Sequence, residues 1–237
     1  MKVLGVIPAR YNATRFPGKL LKCLDNKFIL QHTWNRAKES KRLTDLYIAT
    51  DNEKIWNVGK HFGAKMFQTH KCHSGTERII EVISYLRDFD IIINIQGDEP
   101  FINPKDIDRL VAVMINNEEV VMATIVTDIT TYELYDPNIV KAYVKDGFAV
   151  DFSRHAIWKD KDQIYKHIGI YAYRKDFLLN YYKMPKEPHE MVEKLEQLRA
   201  IENGFNIKVI KTKHFTIGID TVEDLEKAKK YLKGGKR

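Results

Sequence analysis

The chain has 237 residues, of which 44% are hydrophobic and 30% charged, a composition typical of a globular protein rather than a disordered one. Its longest apolar runs are about five residues, too short for a membrane-spanning helix. Its two cysteines, Cys23 and Cys72, exclude a disulfide framework and favour a reducing cytoplasm. The net charge of +7 permits an anionic partner, but the cations are spread along the chain without a zinc-finger or RNA-binding motif. We therefore do not expect nucleic acid to be the main partner.

A basic loop follows the first apolar run. That run, residues 3–7, is short and β-branched, which predicts a buried strand. The loop holds three cations, Arg10, Arg15 and Lys19, and contains a Pro-Gly turn signal. Open α/β sheets bind ligands at the carboxyl ends of their strands, and Arg and Lys are phosphate-binding side chains. The loop therefore predicts a polyphosphate site, although a solvated basic loop is the alternative.

Strand and helix patterns then alternate, which predicts a Rossmann-like, doubly wound α/β fold with a mostly parallel sheet. The most apolar run, residues 91–95, is predicted to be a central strand covered on both faces. Asp51 is predicted to cap the second helix and Gly63 to end it. The other predicted strands are residues 46–50, 65–68 and 121–126, and the predicted helices are residues 28–39, 52–62, 74–86 and 104–115.

The pattern changes after residue 128. Two alternating runs, residues 139–144 and 148–152, flank an Asp-Gly turn and predict a hairpin. We interpret residues of about 128–190 as an antiparallel insertion that covers the site or pairs with a second subunit, within a single domain of residues 1–237. The remaining predicted elements are a strand over residues 167–173, a helix over 190–203, a strand over 207–212, the end of a strand at 215–219, and a last helix opened by a capping box of Thr221 and Asp224.

Two aspartates lie where the chain leaves the predicted sheet. Asp98 follows the central strand, and Asp220 precedes the last helix, so the two could face each other across one crevice. Two carboxylates near a triphosphate suit Mg²⁺, which prefers oxygen ligands and keeps substrate phosphates among them. The alternative is that both are ordinary turn or cap residues.

The helix start at residues 74–78 is a second candidate anion site. Its backbone N–H groups, the hydroxyls of Ser74 and Thr76, and Arg78 could bind a nucleotide, although an ordinary helix cap explains them as well. Three possible zinc ligands lie within residues 70–73, but their spacing is not that of a zinc site. The chain has no nucleophile elbow, Walker loop or Cys-x-x-Cys motif.

A series of short motifs occurs in a fixed order along nearly the whole chain. The motifs are Ile7-Pro8-Ala9-Arg10-Tyr11, Thr14-Arg15-Phe16-Pro17-Gly18-Lys19, His73-Ser74-Gly75-Thr76-Glu77-Arg78, Asn94-Ile95-Gln96-Gly97-Asp98-Glu99-Pro100, Asp136-Pro137-Asn138-Ile139-Val140-Lys141, Phe152-Ser153-Arg154, His167-Ile168-Gly169-Ile170-Tyr171, Leu195-Glu196-Gln197-Leu198-Arg199 and Gly218-Ile219-Asp220-Thr221. Each is weak alone, but the ordered set resembles the 3-deoxy-D-manno-octulosonate cytidylyltransferase family, the CMP-Kdo synthetases.

The resemblance implies a fold of the nucleotide-diphospho-sugar transferase type in a cytoplasmic homodimer. It also implies a Mg²⁺-dependent reaction in which CTP and 3-deoxy-D-manno-octulosonate (Kdo) give CMP-Kdo and pyrophosphate, for lipopolysaccharide synthesis. A nucleotidyltransferase for another 2-keto sugar acid, such as a sialic acid or an amino analogue of Kdo, is the alternative. A nucleic-acid-binding protein would leave Asp98 and Asp220 unexplained.

The resemblance also implies roles for individual residues. The implied CTP-binding residues are Ala9, Arg10, Arg15, Lys19, Ser74, Gly75 and Arg78. The implied metal ligands are Asp98 and Asp220, which act in catalysis with Arg15 and Lys19. The implied sugar-acid pocket is Gln96, Arg154, His167, Tyr171, Glu196 and Gln197. Without the resemblance, alternation along the strand would make His167 and Tyr171 the exposed face of a hairpin.

Overall fold

The computed structural model describes residues 1–12 and 15–234, which form two compact units. The first unit comprises Lys2–Asp108 and the chain from Phe215 onward, and the second comprises Arg109–His214 with Met1. Ala13 and Thr14 of the predicted phosphate loop, and residues 235–237, lie outside the described part. Within that part, every helix is too short or too polar to cross a bilayer.

The sheet of the first unit has four parallel strands in the order β5-β4-β1-β6. Every residue of β1 and β6 is buried, as expected for central strands covered on both faces. A short antiparallel hairpin, β2 with β3, follows the basic loop. These strands are β1 (Val3–Pro8), β2 (Cys23–Leu24), β3 (Lys27–Phe28), β4 (Asp45–Thr50), β5 (Met66–Gln68) and β6 (Ile91–Asn94).

The helices follow the apolar periodicity of the sequence, and most begin within a residue or two of the predicted position. They are α1 (Ile29–Lys38), α2 (Glu53–His61), α3 (Gly75–Tyr85), α4 (Pro104–Asn116), α5 (Thr131–Tyr135), α6 (Lys175–Tyr181), α7 (Pro188–Glu193), α8 (Leu198–Glu202) and α9 (Val222–Lys233). Short 3-10 helices also form at Lys19–Leu21 and Lys161–Gln163.

The helix caps correct one prediction. Asn52, not Asp51, caps α2, because the Asn52 side-chain oxygen accepts hydrogen bonds from the amides of Lys54 and Ile55 at 3.1 and 3.3 Å. Asp51 instead accepts a hydrogen bond from Arg78. The end of α2 is as predicted, since Gly63 has a φ of 77° just beyond it. The predicted capping box of Thr221 and Asp224 at α9 is confirmed.

The second unit is a mixed sheet in the order β10-β7-β11-β9-β8. Strand β11 runs parallel to β7, whereas β10 is antiparallel to β7 and its first residues pair with β8. The predicted hairpin of β8 and β9 is confirmed, with Asp146 and Gly147 at φ values of 51° and 76° in its turn. The strands are β7 (Met122–Thr127), β8 (Lys141–Lys145), β9 (Phe148–Ser153), β10 (Ile164–Arg174) and β11 (Ile207–Thr212).

The predicted helix over residues 190–203 is wrong, because the chain forms two short helices there. Lys194 adopts a left-handed conformation with a φ of 56°, which ends α7 before α8 begins. A nearly buried ion pair then joins the two helices, in which the Arg199 Nε donates to the Glu190 carboxylate at 2.8 Å. This pair fixes the segment that carries Glu196 and Gln197.

Residues 215–219 also differ from the prediction, since no strand forms there. Instead, the Ile219 N–H donates to the Asp98 carbonyl at 2.9 Å. The Ile219 side chain is buried in a cluster with Leu24, Ile29 and Leu225. The segment is apolar like a strand, but the Ile219 side chain packs against the start of α1 and against α9, and the Phe215 ring stacks on Tyr231 of α9.

The Glu190–Arg199 pair generates a stability prediction. Glu190→Leu leaves the Arg199 guanidinium buried and unpaired, which should lower the free energy of unfolding by about 3–5 kcal/mol in urea denaturation. The double variant Glu190→Leu/Arg199→Met should recover most of that loss, because it removes both charges. Glu39→Leu, which breaks the exposed Arg36–Glu39 pair, is the control and should have little effect. Equal losses in the single and double variants would contradict the prediction.

Candidate active site

The strand order of the first unit creates a binding crevice. The chain moves from β1 to β4 and β5 on one side, and then returns to β6 on the other side of β1. In open α/β sheets, ligands bind outside the carboxyl ends of the strands where the order reverses in this way. The basic loop leaves the carboxyl end of β1, and Asp98 follows the carboxyl end of β6, so both lie at this switch point.

Four charged side chains meet there. The Lys19 ammonium donates to the Asp98 carboxylate and, at 2.6 Å, to Oδ1 of Asp220. The Arg15 guanidinium donates to the other Asp220 oxygen, Oδ2, at 2.7 Å. The predicted proximity of the two aspartates is therefore observed, and two cations from the basic loop balance their charges.

Main-chain and side-chain contacts hold the Asp220 segment against the Asp98 segment. Besides the bond between the Ile219 amide and the Asp98 carbonyl, the Thr216 hydroxyl donates to Glu99 Oε2 at 2.7 Å. Gly218 lies against the Glu99 side chain, since a Cβ added there would be 2.9 Å from Glu99 Oε1. These contacts hold the chain next to Asp220 against the chain next to Asp98.

The ionisation of Lys19 depends on the aspartates. Burial disfavours its charged form, but the charges of Asp98 and Asp220, and their hydrogen bonds, outweigh burial and raise the pKa of Lys19. The carboxylates of Asp98 and Asp220 both contact this ammonium. Such a pair of oxygen donors fits a divalent ion that takes its remaining ligands from phosphates and water. In residues 1–12 and 15–234, no group of three or more His, Cys, Asp or Glu side chains could hold a metal.

The residues implied for the nucleotide lie near the same strand ends. Ala9 is fully buried and its N–H donates to the Ala49 carbonyl. The Arg10 guanidinium donates to the His73 carbonyl at 3.0 Å, which ties the basic loop to the start of α3. Ser74 caps α3 by accepting from the Glu77 amide at 3.1 Å, and Gly75 is the first residue of that helix.

Arg78 differs from the other cations because its side chain is almost fully buried. Its guanidinium donates to the Thr69 hydroxyl and, at 2.9 Å, to Asp51. Its Nε has no hydrogen-bond partner among the described residues. The guanidinium thus joins the residues that follow β4 and β5. The sequence did not indicate Asp51 as the partner of Arg78, because its position predicted a helix cap instead.

Gln96 lies between β6 and Asp98, where its side-chain amide donates to the Asn94 side chain at 3.1 Å. The other residues implied for the sugar acid lie in the second unit. Tyr171 is buried beside His167, with ring centroids 5.3 Å apart, and burial raises the pKa of its phenol well above the ordinary value. Gln197 is buried at the start of α8, and the Glu196 carbonyl accepts from the Tyr181 hydroxyl.

The surroundings of the His167 imidazole disfavour its charged form. Burial among Phe152 and Tyr171 lowers the pKa of its imidazole to about 3. Its Nε2 lies 3.0 Å from the Thr124 hydroxyl, whose own proton is donated to the Ile170 carbonyl at 2.8 Å. Nε2 must therefore carry the imidazole proton, which leaves Nδ1 as an acceptor. This tautomer accepts a hydrogen bond from a hydroxyl group and does not attract a carboxylate as a cation would.

Comparisons with known proteins show the family to which this chain belongs. A family model described as cytidylyltransferase matches residues 4–213. The 3-deoxy-manno-octulosonate cytidylyltransferase of Solibacter usitatus (strain Ellin6076) is 45% identical, over 98% of this chain and 95% of that protein. The protein of the same name from Fusobacterium nucleatum is 43% identical, over 98% of each chain. This chain belongs to the 3-deoxy-manno-octulosonate cytidylyltransferase family.

A solved structure of CMP:2-keto-3-deoxy-manno-octonic acid synthetase complexed with CTP has the same fold. The match has a TM-score of 0.92 and 36% sequence identity, and covers 99% of both chains. The predicted α/β fold class is confirmed, and the chain is a nucleotidyltransferase. No local sequence pattern marks the contact of Thr124 with His167, or those of Lys141 and Glu193 with the main chain of Arg154.

The lowered pKa of His167 generates a pH prediction. Between pH 6.5 and about 3, the unfolded chain binds a proton at this imidazole that the folded chain does not. Stability should therefore fall as the pH falls through this range, by at most about 1.4 kcal/mol per pH unit from this group. His167→Gln should flatten the pH dependence of the free energy of unfolding, measured in urea from pH 7.5 to 4.5. His61→Gln, at the exposed end of α2, should not. An NMR titration of His167 near pH 6.5 would contradict the prediction.

Proposed function

We propose that this cytidylyltransferase transfers the cytidylyl group of CTP to Kdo, giving CMP-Kdo and pyrophosphate. The observation that carries the proposal is the convergence of Asp98 and Asp220 on Lys19, beside Arg15, at the switch point of a parallel sheet. Family membership supports the nucleotide and the sugar acid, because the curated relatives are named for both. A neighbour with a TM-score of 0.92 was solved with CTP.

The cations of the basic loop bind the triphosphate. Arg10, Arg15 and Lys19 supply bidentate and point-charge contacts to phosphate oxygens, and the amides at the start of α3 add donors. Lys19 and Arg15 neutralise the pyrophosphate as it leaves. Ala9, Ser74, Gly75 and Arg78 form the cytidine side of the site.

Asp98 and Asp220 hold Mg²⁺, an assignment supported by their shared contact with one ammonium group. When bound, such an ion supplies positive charge to the α-phosphate and lowers the pKa of a nearby hydroxyl. The protein keeps the two carboxylates at a fixed separation through the Ile219–Asp98 and Thr216–Glu99 contacts. No side chain of this set is needed as a covalent nucleophile.

The sugar acid is bound by a mixture of charge and neutral hydrogen bonds. Arg154 binds the Kdo carboxylate, and Nδ1 of His167 accepts a hydrogen bond from a Kdo hydroxyl. Gln96, Tyr171, Glu196 and Gln197 contact the remaining hydroxyls. The anomeric oxygen of Kdo forms a bond to the α-phosphorus in line with the breaking bond to pyrophosphate, so the contribution of the protein is positioning and charge neutralisation.

The cellular setting and assembly complete the proposal. The protein acts in the cytoplasm as a homodimer, and residues of about 128–190 contribute both to the sugar-acid pocket and to the contact between subunits. CMP-Kdo then supplies activated sugar for lipopolysaccharide synthesis. The low cysteine content and the resemblance of the ordered motifs support these statements.

An assay of pyrophosphate release tests the proposed reaction. The purified chain is incubated with each of the four NTPs, with and without Kdo and with and without Mg²⁺. Release is expected only with CTP, Kdo and Mg²⁺ together. Parallel reactions contain N-acetylneuraminate or an amino analogue of Kdo in place of Kdo. Release with UTP or GTP but not CTP refutes the base assignment, and a preference for another acid refutes the assignment of Kdo.

Asp98→Asn tests the proposed metal pair. Turnover should fall by orders of magnitude, about 10²-fold or more, since one carboxylate that holds charge against the α-phosphate is lost. The CTP dissociation constant should change only a few fold, because Lys19, Arg15 and Arg10 remain. Both quantities are measured by steady-state kinetics and calorimetry. Asp88→Asn, on an exposed carboxylate paired with Lys2, is the control. Near-normal turnover of Asp98→Asn in Mg²⁺ would reject the role of the aspartate pair.

A further inference from the structure

The main chain of Arg154 is held on both sides by ionised side chains. The Lys141 ammonium donates to the Arg154 carbonyl at 2.7 Å. The Glu193 carboxylate accepts from the Arg154 amide at 3.0 Å. Arg154 follows directly after β9, where a loop begins that could otherwise move. The N–H and the carbonyl of Arg154 are therefore both hydrogen-bonded to charged side chains, those of Glu193 and Lys141.

Burying the charged Lys141 side chain has a desolvation cost in free energy. It is the first residue of β8, has no exposed surface, and also donates to the Asp136 carbonyl at 2.5 Å. Burial lowers the pKa of its ammonium. An apolar side chain of similar length would avoid the desolvation cost, and such replacements of buried charges are often neutral or stabilising. The buried charge of Lys141 is instead spent on two backbone carbonyls, and one of them belongs to Arg154.

Glu193 acts on the same position from α7. Its carboxylate accepts from the Ser153 hydroxyl at 2.9 Å as well as from the Arg154 amide. Burial opposes its charged form, but these two hydrogen bonds and the nearby histidines outweigh burial and lower the pKa of Glu193. The left-handed Lys194 ends α7, so Glu193 is the last residue of that helix. The division into α7 and α8 thus accompanies the contacts of Glu193 with Ser153 and Arg154.

The guanidinium of Arg154 is much less constrained than its backbone. Its one hydrogen bond to the described residues is a long contact of 3.4 Å from Nη1 to the Pro137 carbonyl. Within the described residues, no carboxylate forms an ion pair with it. The main chain of Arg154 is thus anchored, while its guanidinium makes only a long hydrogen bond. Such a guanidinium is suited to bind a carboxylate with two parallel hydrogen bonds.

We propose that Lys141 and Glu193 are positioning residues that fix Arg154 so that its guanidinium binds the carboxylate of the sugar-acid substrate. This inference rests on the proposed function, in which Arg154 contacts Kdo. Lys141 and Glu193, which lie outside the implied sugar-acid pocket, would then affect the binding of Kdo and not that of CTP.

The test compares Lys141→Met and Glu193→Gln with the wild-type enzyme. Each should raise the KM for Kdo about tenfold at saturating CTP, because a displaced arginine loses its alignment with the carboxylate. The KM for CTP should stay within about twofold. Lys145→Met, on an exposed lysine of the same strand, is the matched control and should change neither constant. Thermal unfolding measured on each variant reports any general loss of stability.

A double-mutant cycle with Arg154→Ala separates positioning from general structural damage. In the Arg154→Ala background, Lys141→Met and Glu193→Gln should cause no further rise in the KM for Kdo. Equal losses for both substrates, additive effects in the cycle, or an unchanged KM for Kdo in both variants would overturn the inference. If Lys141→Met does not fold, Glu193→Gln decides, since it keeps the size of the side chain. A wild-type enzyme that is inactive with CTP and Kdo would instead refute the proposed function itself.

Discussion

The site depends on one electrostatic constraint, which is that two aspartates must be kept close together in a partly buried crevice. Two carboxylates at short range repel each other, and burial strengthens the repulsion. The chain solves this with the Lys19 ammonium, which contacts both, and with Arg15, which contacts Asp220. The order of the parallel strands, the cluster around Ile219 and the main-chain hydrogen bond from Ile219 to Asp98 all serve to bring these four side chains into contact.

Much of this arrangement could be predicted from the sequence. The apolar runs of β1 and β6 located the central strands, and the rule for open sheets placed the basic loop and Asp98 at the same edge. Asp220 was located by the capping box that follows it, because a helix start marks the point where the chain leaves the core. These features depend on local periodicity and on general topology, so one sequence was sufficient.

The remaining features depend on contacts between distant residues. The division of residues 190–203 into two helices follows from a left-handed Lys194 and a buried ion pair, and neither leaves a periodic signal. The ionisation of His167 depends on which rings and hydroxyls surround it in the fold. Asp51 and Asn52 are neighbouring residues that can both cap a helix. Only the three-dimensional position of Arg78 shows that Asp51 pairs with this arginine and leaves the cap to Asn52.

The contact of Lys19 with both aspartates also determines when water is removed from them. Stripping solvent from a carboxylate is among the most unfavourable steps in forming any ion-binding site. Here much of that step accompanies folding, since the ammonium already replaces part of the hydration shell of Asp98 and Asp220. The two carboxylates of the folded chain are therefore already partly dehydrated, and their charge is already compensated, before any ligand of the site binds.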